Sequence, residues 1–457
     1  MKARSTLAAA TIAAVGMAGL AGCSGGAPSG SDDGADESIT VMYSKTDSFT
    51  ALDTVLTKAK EDFEKDNPGV TVKLEPVTAS DDDYKTKLQL ALGSGDSAPD
   101  VFYEDTFTVR SDAEAGYLLD LDDHLADWAD WKLFDDNAKL AGAGADGTVY
   151  AIPLGTDTRV IWYNKTVLEA AGVDVPWQPE TWQDILDAAA QIKTSSPDVV
   201  PFNMYAGTGT GEGTVMQSFY ELLYGTGDGK GLFDDESGKW IVESQGFVDS
   251  LEFLESLYAD GYALPVDQAL DPNIWKAVFG EYLPQGRMGG TVEGSYTPSF
   301  WIEGGSYAWP EYADDMGVAL FPTQNGEEPG GVSMSGGWTL AASAKTKNAD
   351  LAFEYMTYAL NKENALWYAI NNAQIAVRSD VADEPSYQAA NPFVADVTAA
   401  VPVTHFRPAD SDYPQISDAV QEATEAVITG QKSAKDAAAD YDAAVRRIVG
   451  DDKVTTG

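Results

Sequence analysis

Between residues 39 and 103 the hydrophobic period switches repeatedly, and that alternation limits the folds open to the chain. Ile39-Thr40-Val41-Met42-Tyr43 is a β-prone run. Leu52, Val55, Leu56, Ala59 and Phe63 then share one helical face, behind Asp47 and Ser48 as cap candidates, and Asn67-Pro68-Gly69 ends the pattern. Val70, Val72 and Leu74 alternate as a strand. Tyr84, Leu88 and Ala91 mark a second helix, closed by Gly93-Ser94-Gly95, and Asp100-Val101-Phe102-Tyr103 reads as a third strand. A β-α-β-α-β order predicts a parallel sheet with right-handed crossovers, and such sheets bind ligands at the carboxyl ends of their strands. Those ends carry Ser44-Lys45-Thr46-Asp47 and Glu104-Asp105-Thr106.

The 457 residues suffice for two or three domains. Val149-Tyr150-Ala151-Ile152-Pro153-Leu154 and Val160-Ile161-Trp162-Tyr163 are β-rich runs around a polar break, Gly155-Thr156-Asp157-Thr158-Arg159. Residues on such a break are exposed to a ligand while the flanking strands hold them still. Val200-Pro201-Phe202-Asn203-Met204-Tyr205 reads as a strand of a second domain. Phe247, Leu251, Leu254 and Tyr258 form a helical face, and two terminal helices follow, carrying Ile416, Val420, Ala423 and Val427, then Ala434, Ala438, Tyr441, Val445 and Ile448. The glycine-rich runs at 207–213 and 225–231 read as loops.

The N-terminus has the form of a secretory signal. Met1-Lys2-Ala3-Arg4 is basic, residues 7–19 are apolar but too few to span a bilayer, and Leu20-Ala21-Gly22-Cys23 places small residues before the only cysteine. That end resembles a bacterial lipobox, which implies a signal peptide over 1–22 and lipidation of Cys23. Residues 24–37 contain no large apolar side chain and read as a flexible tether. With Cys23 so used, no disulfide is possible. A formal charge of −44 repels nucleic-acid phosphates and anionic membranes.

Most catalytic chemistries find no support. His124 and His405 are the only histidines, so a histidine-pair metal site or a Ser-His-Asp triad has little to draw on. Both read as structural. Gly22-Cys23-Ser24-Gly25-Gly26 matches a nucleophile elbow only in letters, because no strand-turn-helix surrounds it. The 207–213 glycines lack the register of a dinucleotide loop. Asp81-Asp82-Asp83 and Gly227-Asp228-Gly229-Lys230 do not match a calcium loop and read as solvated turns. No cofactor and no metal is expected. What remains is 11 Trp and 21 Tyr, many beside loops, with scattered carboxylates and arginines. Sugars present CH faces that pack on aromatic rings and hydroxyls that pair with such polar groups.

Several landmarks fall in one order. Tyr150-Ala151-Ile152-Pro153, then Tyr163-Asn164-Lys165 before a helix over 166–172, is followed by Pro179-Glu180-Thr181-Trp182-Gln183-Asp184-Ile185. Gly93-Ser94-Gly95 with Pro99-Asp100-Val101, and Gly116-Tyr117-Leu118-Leu119-Asp120-Leu121, precede them. Arg287-Met288-Gly289-Gly290-Thr291 and Gly336-Gly337-Trp338-Thr339-Leu340, with a helix over 349–358, come after. Together these resemble the extracellular solute-binding proteins of bacterial ABC importers, the maltose-binding-like group. The resemblance implies an α/β, two-lobed periplasmic-binding-protein fold with a cleft between lobes. One lobe would comprise 38–155 plus 316–372, the other 156–315 plus 373–457, behind a lipidated tether over 23–37.

The same resemblance implies the ligand-binding residues. Lys45 and Asp47 follow the first strand; Glu104 and Asp105 follow the third. Asp157 sits on the first crossing, with Arg159 as a clamp on that carboxylate or on the ligand. Tyr205 ends the second-domain strand, Tyr296 stands where the family commonly has a stacking Trp, and Trp338 follows the glycine pair. Gln374 is a weaker candidate. The implied protein is a monomer and not an enzyme. It would be held by Cys23 on the outer face of the membrane of a Gram-positive bacterium, pass an oligosaccharide to permease subunits, and make no contact with nucleic acid. The rivals are an extracellular glycoside hydrolase, which needs two carboxyls flanking one bond, and a lectin-like adhesin.

Overall fold

The computed structural model describes residues 37–457, apart from 47, 48, 80, 96 and 145. The expected signal peptide, Cys23, nearly all of the tether and Asp47 lie outside the described residues. The strands are β1 (Glu37–Ser44), β2 (Val70–Val77), β3 (Val101–Asp105), β4 (Ala151–Pro153), β5 (Arg159–Asn164), β6 (Val200–Asn203), β7 (Phe233–Asp234) and β8 (Lys239–Val242). They continue as β9 (Met288–Gly294), β10 (Met316–Ala319), β11 (Phe321–Pro322), β12 (Gly331–Met334), β13 (Trp338–Ala342), β14 (Thr404–His405) and β15 (Val454–Thr456).

The alternating N-terminal pattern forms the expected parallel core. β1 pairs in parallel with β2 and β3, and the sheet continues through antiparallel β13 and β4 in the order β2-β1-β3-β13-β4. Helix α1 (Ala51–Asp66) joins β1 to β2 and buries Leu52, Val55, Leu56, Ala59 and Phe63, the five residues of its apolar face. Helix α2 (Asp81–Gly93) joins β2 to β3.

A second sheet has the order β10-β5-β9-β6. It has its own apolar core, in which Trp162 meets Trp301 and Phe393 edge-on. Two motifs used in the sequence reading are helix caps. The Asn164 side chain accepts from the Val167 N–H at 3.0 Å and starts helix Lys165–Ala171. Thr181 and Asp184 form a reciprocal capping box at the start of helix Trp182–Ser195. The terminal helices, Tyr413–Ile428 and Ala434–Val449, pack on each other and on helix Gln245–Ala259.

The chain changes sheets later than the expected boundary at 316. β10 runs antiparallel to β5, from Met316 opposite Asn164 to Ala319 opposite Ile161, so residue 316 still belongs to the second sheet. β12 pairs with β14, and only β13 rejoins the first sheet. The glycine pair lies immediately before β13, where the returning chain meets the first crossing. Gly337 has φ +129°, and a Cβ there would lie 3.0 Å from the Gly155 carbonyl oxygen. Glycine suits so close a contact in a left-handed conformation, where a side chain would be strained. Ile375 packs in the second core, while Val377 and Arg378 stay with the first. Buried Arg378 binds Asp130 at 3.0 Å, Asp380 at 2.9 Å and the Leu360 carbonyl at 2.8 Å, and its charge is satisfied only beside those partners.

Candidate functional site

The carboxyl ends of the first sheet and the facing end of the second border a cavity of about 860 Å³. From the first sheet come Ser44 and Thr46 after β1, Thr78 and Ala79 after β2, Tyr103 and Asp105 on β3, and Trp338 opening β13. The second sheet supplies Arg159 opening β5, Tyr205 beyond β6, Glu293 near the end of β9, and Tyr296. The 207–213 glycine loop forms part of the wall. Its size falls in the range of small-molecule cavities, which commonly enclose roughly 300–1,000 Å³.

Its polar groups are held in charge-matched sets. The Asp157 carboxylate lies 2.6 Å from the Arg159 guanidinium and accepts from the Gly336 N–H at 2.8 Å. Arg159 also donates through Nε to Gln217 at 2.9 Å and stands 5.7 Å over the Tyr296 ring. Gln217 in turn donates to the Tyr296 hydroxyl at 3.2 Å. Asp105 accepts from Arg407 at 2.7 Å and has the Lys85 ammonium at 3.8 Å. Arg407 stacks 4.2 Å over Phe107, and Glu212 lies 3.5 Å away. Burial opposes the Arg407 charge, but Asp105 and Glu212 outweigh it and hold the guanidinium above its ordinary range. The Tyr205 hydroxyl donates to Glu293 at 2.5 Å. Trp338 stacks on Tyr103, with ring centroids 4.2 Å apart and planes 7° from parallel.

A family model described as bacterial extracellular solute-binding protein matches residues 44–366. The chain belongs to that family. The maltodextrin-binding protein MdxE of Bacillus subtilis is 26% identical over 363 residues, 76% of this chain and 74% of the relative. The multiple sugar-binding protein of Streptococcus mutans is 25% identical over 371 residues, 77% of this chain and 78% of the relative. Among solved structures, the GacH receptor of Streptomyces glaucescens, determined unliganded and with acarbose, superimposes with a TM-score of 0.75 at 25% identity. That match covers 91% of this chain and 99% of GacH. Maltose-bound MalE3 of Thermotoga maritima gives 0.74 at 22% identity, covering 90% and 100%, and so shares the two-lobed α/β fold.

In this solute-binding protein six of the nine expected site residues line the cavity: Asp105, Asp157, Arg159, Tyr205, Tyr296 and Trp338. Gln374 lines it too. Glu104 does not. Side chains alternate along a strand, so Tyr103 and Asp105 face the cavity while Glu104 turns into the protein. There it is fully buried, accepts from the Thr108 hydroxyl and faces Asp112. Burial, reinforced by Asp112, raises its pKa well above the usual carboxylate range. Lys45 also turns away, pairing with Asp53 at 2.8 Å. Neither histidine lines the cavity. His405 stacks on Tyr224 at 3.9 Å, and His124 meets Asp350 at 3.1 Å.

Sequence reasoning missed Arg407, Glu293, Gln217, Tyr103 and the 207–213 loop. Tyr103 was legible, since it sits two positions before Asp105 on one strand face. Arg407, two positions after His405, carried no local signal.

Two buried acids around Arg159 make stability depend on pH. Burial raises Glu293 to about 7 and Glu221 to about 8; Arg159 opposes both shifts, and the Tyr205 hydrogen bond opposes that of Glu293. Unfolded, each carboxyl titrates near 4.5. Above that pH the folded state holds protons that the unfolded state has lost. Stability therefore falls as pH rises to about 8, by at most about 1.4 kcal/mol per pH unit for each group. Glu221→Gln is expected to raise the melting temperature at about pH 9 more than at about pH 5. Thermal denaturation at the two pH values checks this, and an equal change at both refutes it.

Proposed function

We propose that this protein captures an oligosaccharide outside the cell and delivers it to an ABC permease. The observation that carries the reading is the cavity itself. It is bordered by two sheets, offers aromatic surface and fixed polar groups together, and pairs its buried charges internally. Such a lining suits a ligand made of CH faces and hydroxyls. The names of the relatives, a maltodextrin-binding and a multiple sugar-binding protein, support the same class.

The two sheets are the cores of two lobes, joined by crossings near 155–158, near 335–337 and between 378 and 393. A ligand touching both walls favours the closed form by the contacts it makes only there; hinge closure in binding proteins of this type is a well-attested motion. A cleaved signal, a lipidated Cys23 and the tether over 23–37 keep the monomeric body at the outer face of a Gram-positive membrane. Cys23→Ala is expected to release the protein into the medium.

The deciding experiment is a glycan panel read by melting temperature. A ligand at a hundred times its dissociation constant adds about 2.7 kcal/mol of stability. At least one oligosaccharide is expected to raise the melting temperature and to be recovered intact after long incubation. A panel without any shift sinks the reading, and shortened products would favour a hydrolase.

A further inference from the structure

The cavity carries aromatic surface in a second place. Phe49, Trp275, Phe279 and Phe300 all line it. The Phe49 ring lies 5.6 Å from Phe300, nearly perpendicular at 79°, and 6.5 Å from Trp275. Phe300 stacks on Phe279 at 4.6 Å and 16°. The cluster is shared between the two sides. Phe49 follows β1 of the first sheet, while Trp275, Phe279 and Phe300 flank β9 of the second.

Phe49 is 41% exposed. Of the large apolar side chains that remain exposed among the described residues, namely Phe49, Leu90, Leu140, Trp367 and Phe406, it alone borders the cavity. Its surroundings are not purely apolar, because Thr46, Asn273 and Lys276 line the same region. Aromatic faces beside hydroxyl, amide and ammonium groups are the surface a pyranose ring needs. Phe49 combines an exposed ring, a position on the cavity wall and polar neighbours, as a sugar-stacking surface does.

We propose that Phe49 and Trp275, backed by the buried rings of Phe300 and Phe279, form a second stacking subsite, which takes a different ring of the oligosaccharide from the one stacked at Trp338. The inference rests on the oligosaccharide reading above and extends it to ligand length. One ring bound at Trp338 leaves the Phe49 cluster empty, whereas a longer chain engages both. Affinity therefore rises with chain length until the second subsite is filled.

The test is calorimetric titration of the wild-type protein, Phe49→Ala, Phe49→Tyr and Trp275→Ala. The probes are maltose through maltoheptaose and, in parallel, arabino-oligosaccharides of increasing length; a panel glycan of another linkage is used as its own length series. In the wild type, longer members are expected to bind at least about tenfold tighter than the disaccharide. Phe49→Ala and Trp275→Ala remove that gain and leave the disaccharide unchanged, while Phe49→Tyr keeps it. A variant that weakens all lengths equally acts through structure and overturns the subsite, as does wild-type affinity independent of length; both results leave the capture function standing. A wild-type protein that binds no member of any series overturns the oligosaccharide reading and the subsite with it.

Discussion

Arg407→Met is expected to lower the stability of the folded protein by about 3–5 kcal/mol, the range for removing one partner of a buried ion pair. The guanidinium and the Asp105 carboxylate are both nearly enclosed, at 2.7 Å, with Glu212 as a further acid at 3.5 Å. Methionine fills similar volume and keeps contact with Phe107, but leaves Asp105 buried with only the more distant Lys85 to offset its charge. Glu212 is less affected, since the Tyr413 and Ser417 hydroxyls both donate to it. Urea denaturation should show a lower midpoint with an unchanged slope. Adding Asp105→Asn should recover much of the loss, because the uncompensated charge is then gone. A loss below about 1 kcal/mol would mean that water screens the pair as it does on a surface.

Trp338→Ala is expected to weaken ligand binding by about 2 kcal/mol or more, roughly thirtyfold, as for a central aromatic anchor. Trp338 begins β13 opposite Asp105, so its ring is positioned by sheet pairing and by the stack on Tyr103. Its indole is only partly buried, so truncation should leave folding intact. Calorimetry with the best panel glycan measures the loss, and an unchanged melting temperature without ligand separates it from misfolding. Unchanged affinity would remove Trp338 from the site. Asp157→Ala acts differently. That carboxylate is engaged by Arg159 and Gly336, so its removal frees a buried guanidinium as well as deleting a contact.

The parts legible in the sequence were those that depend on neighbours along the chain. The α1 face formed as spaced, and the landmarks at Asn164 and Thr181–Asp184 turned out to be helix caps, which are likewise short-range patterns. The same alternation that marked β3 as a strand already implied that Glu104 and Asp105 could not both face one cavity. Gly337 was legible as a landmark but not as the point where the chain changes sheets.

What the sequence by itself determined was the parallel β1-β2-β3 part of the first sheet and the strand ends that border the cavity, because periods of 2 and 3.6 residues are written locally. What only the tertiary structure decided was which distant groups meet there. Arg407 and Asp105 are 302 positions apart, and Phe49 reaches Trp275 from the opposite sheet. A charge pair or an aromatic contact of that kind leaves no trace in the residues beside either partner. It exists only once two sheets have been brought face to face.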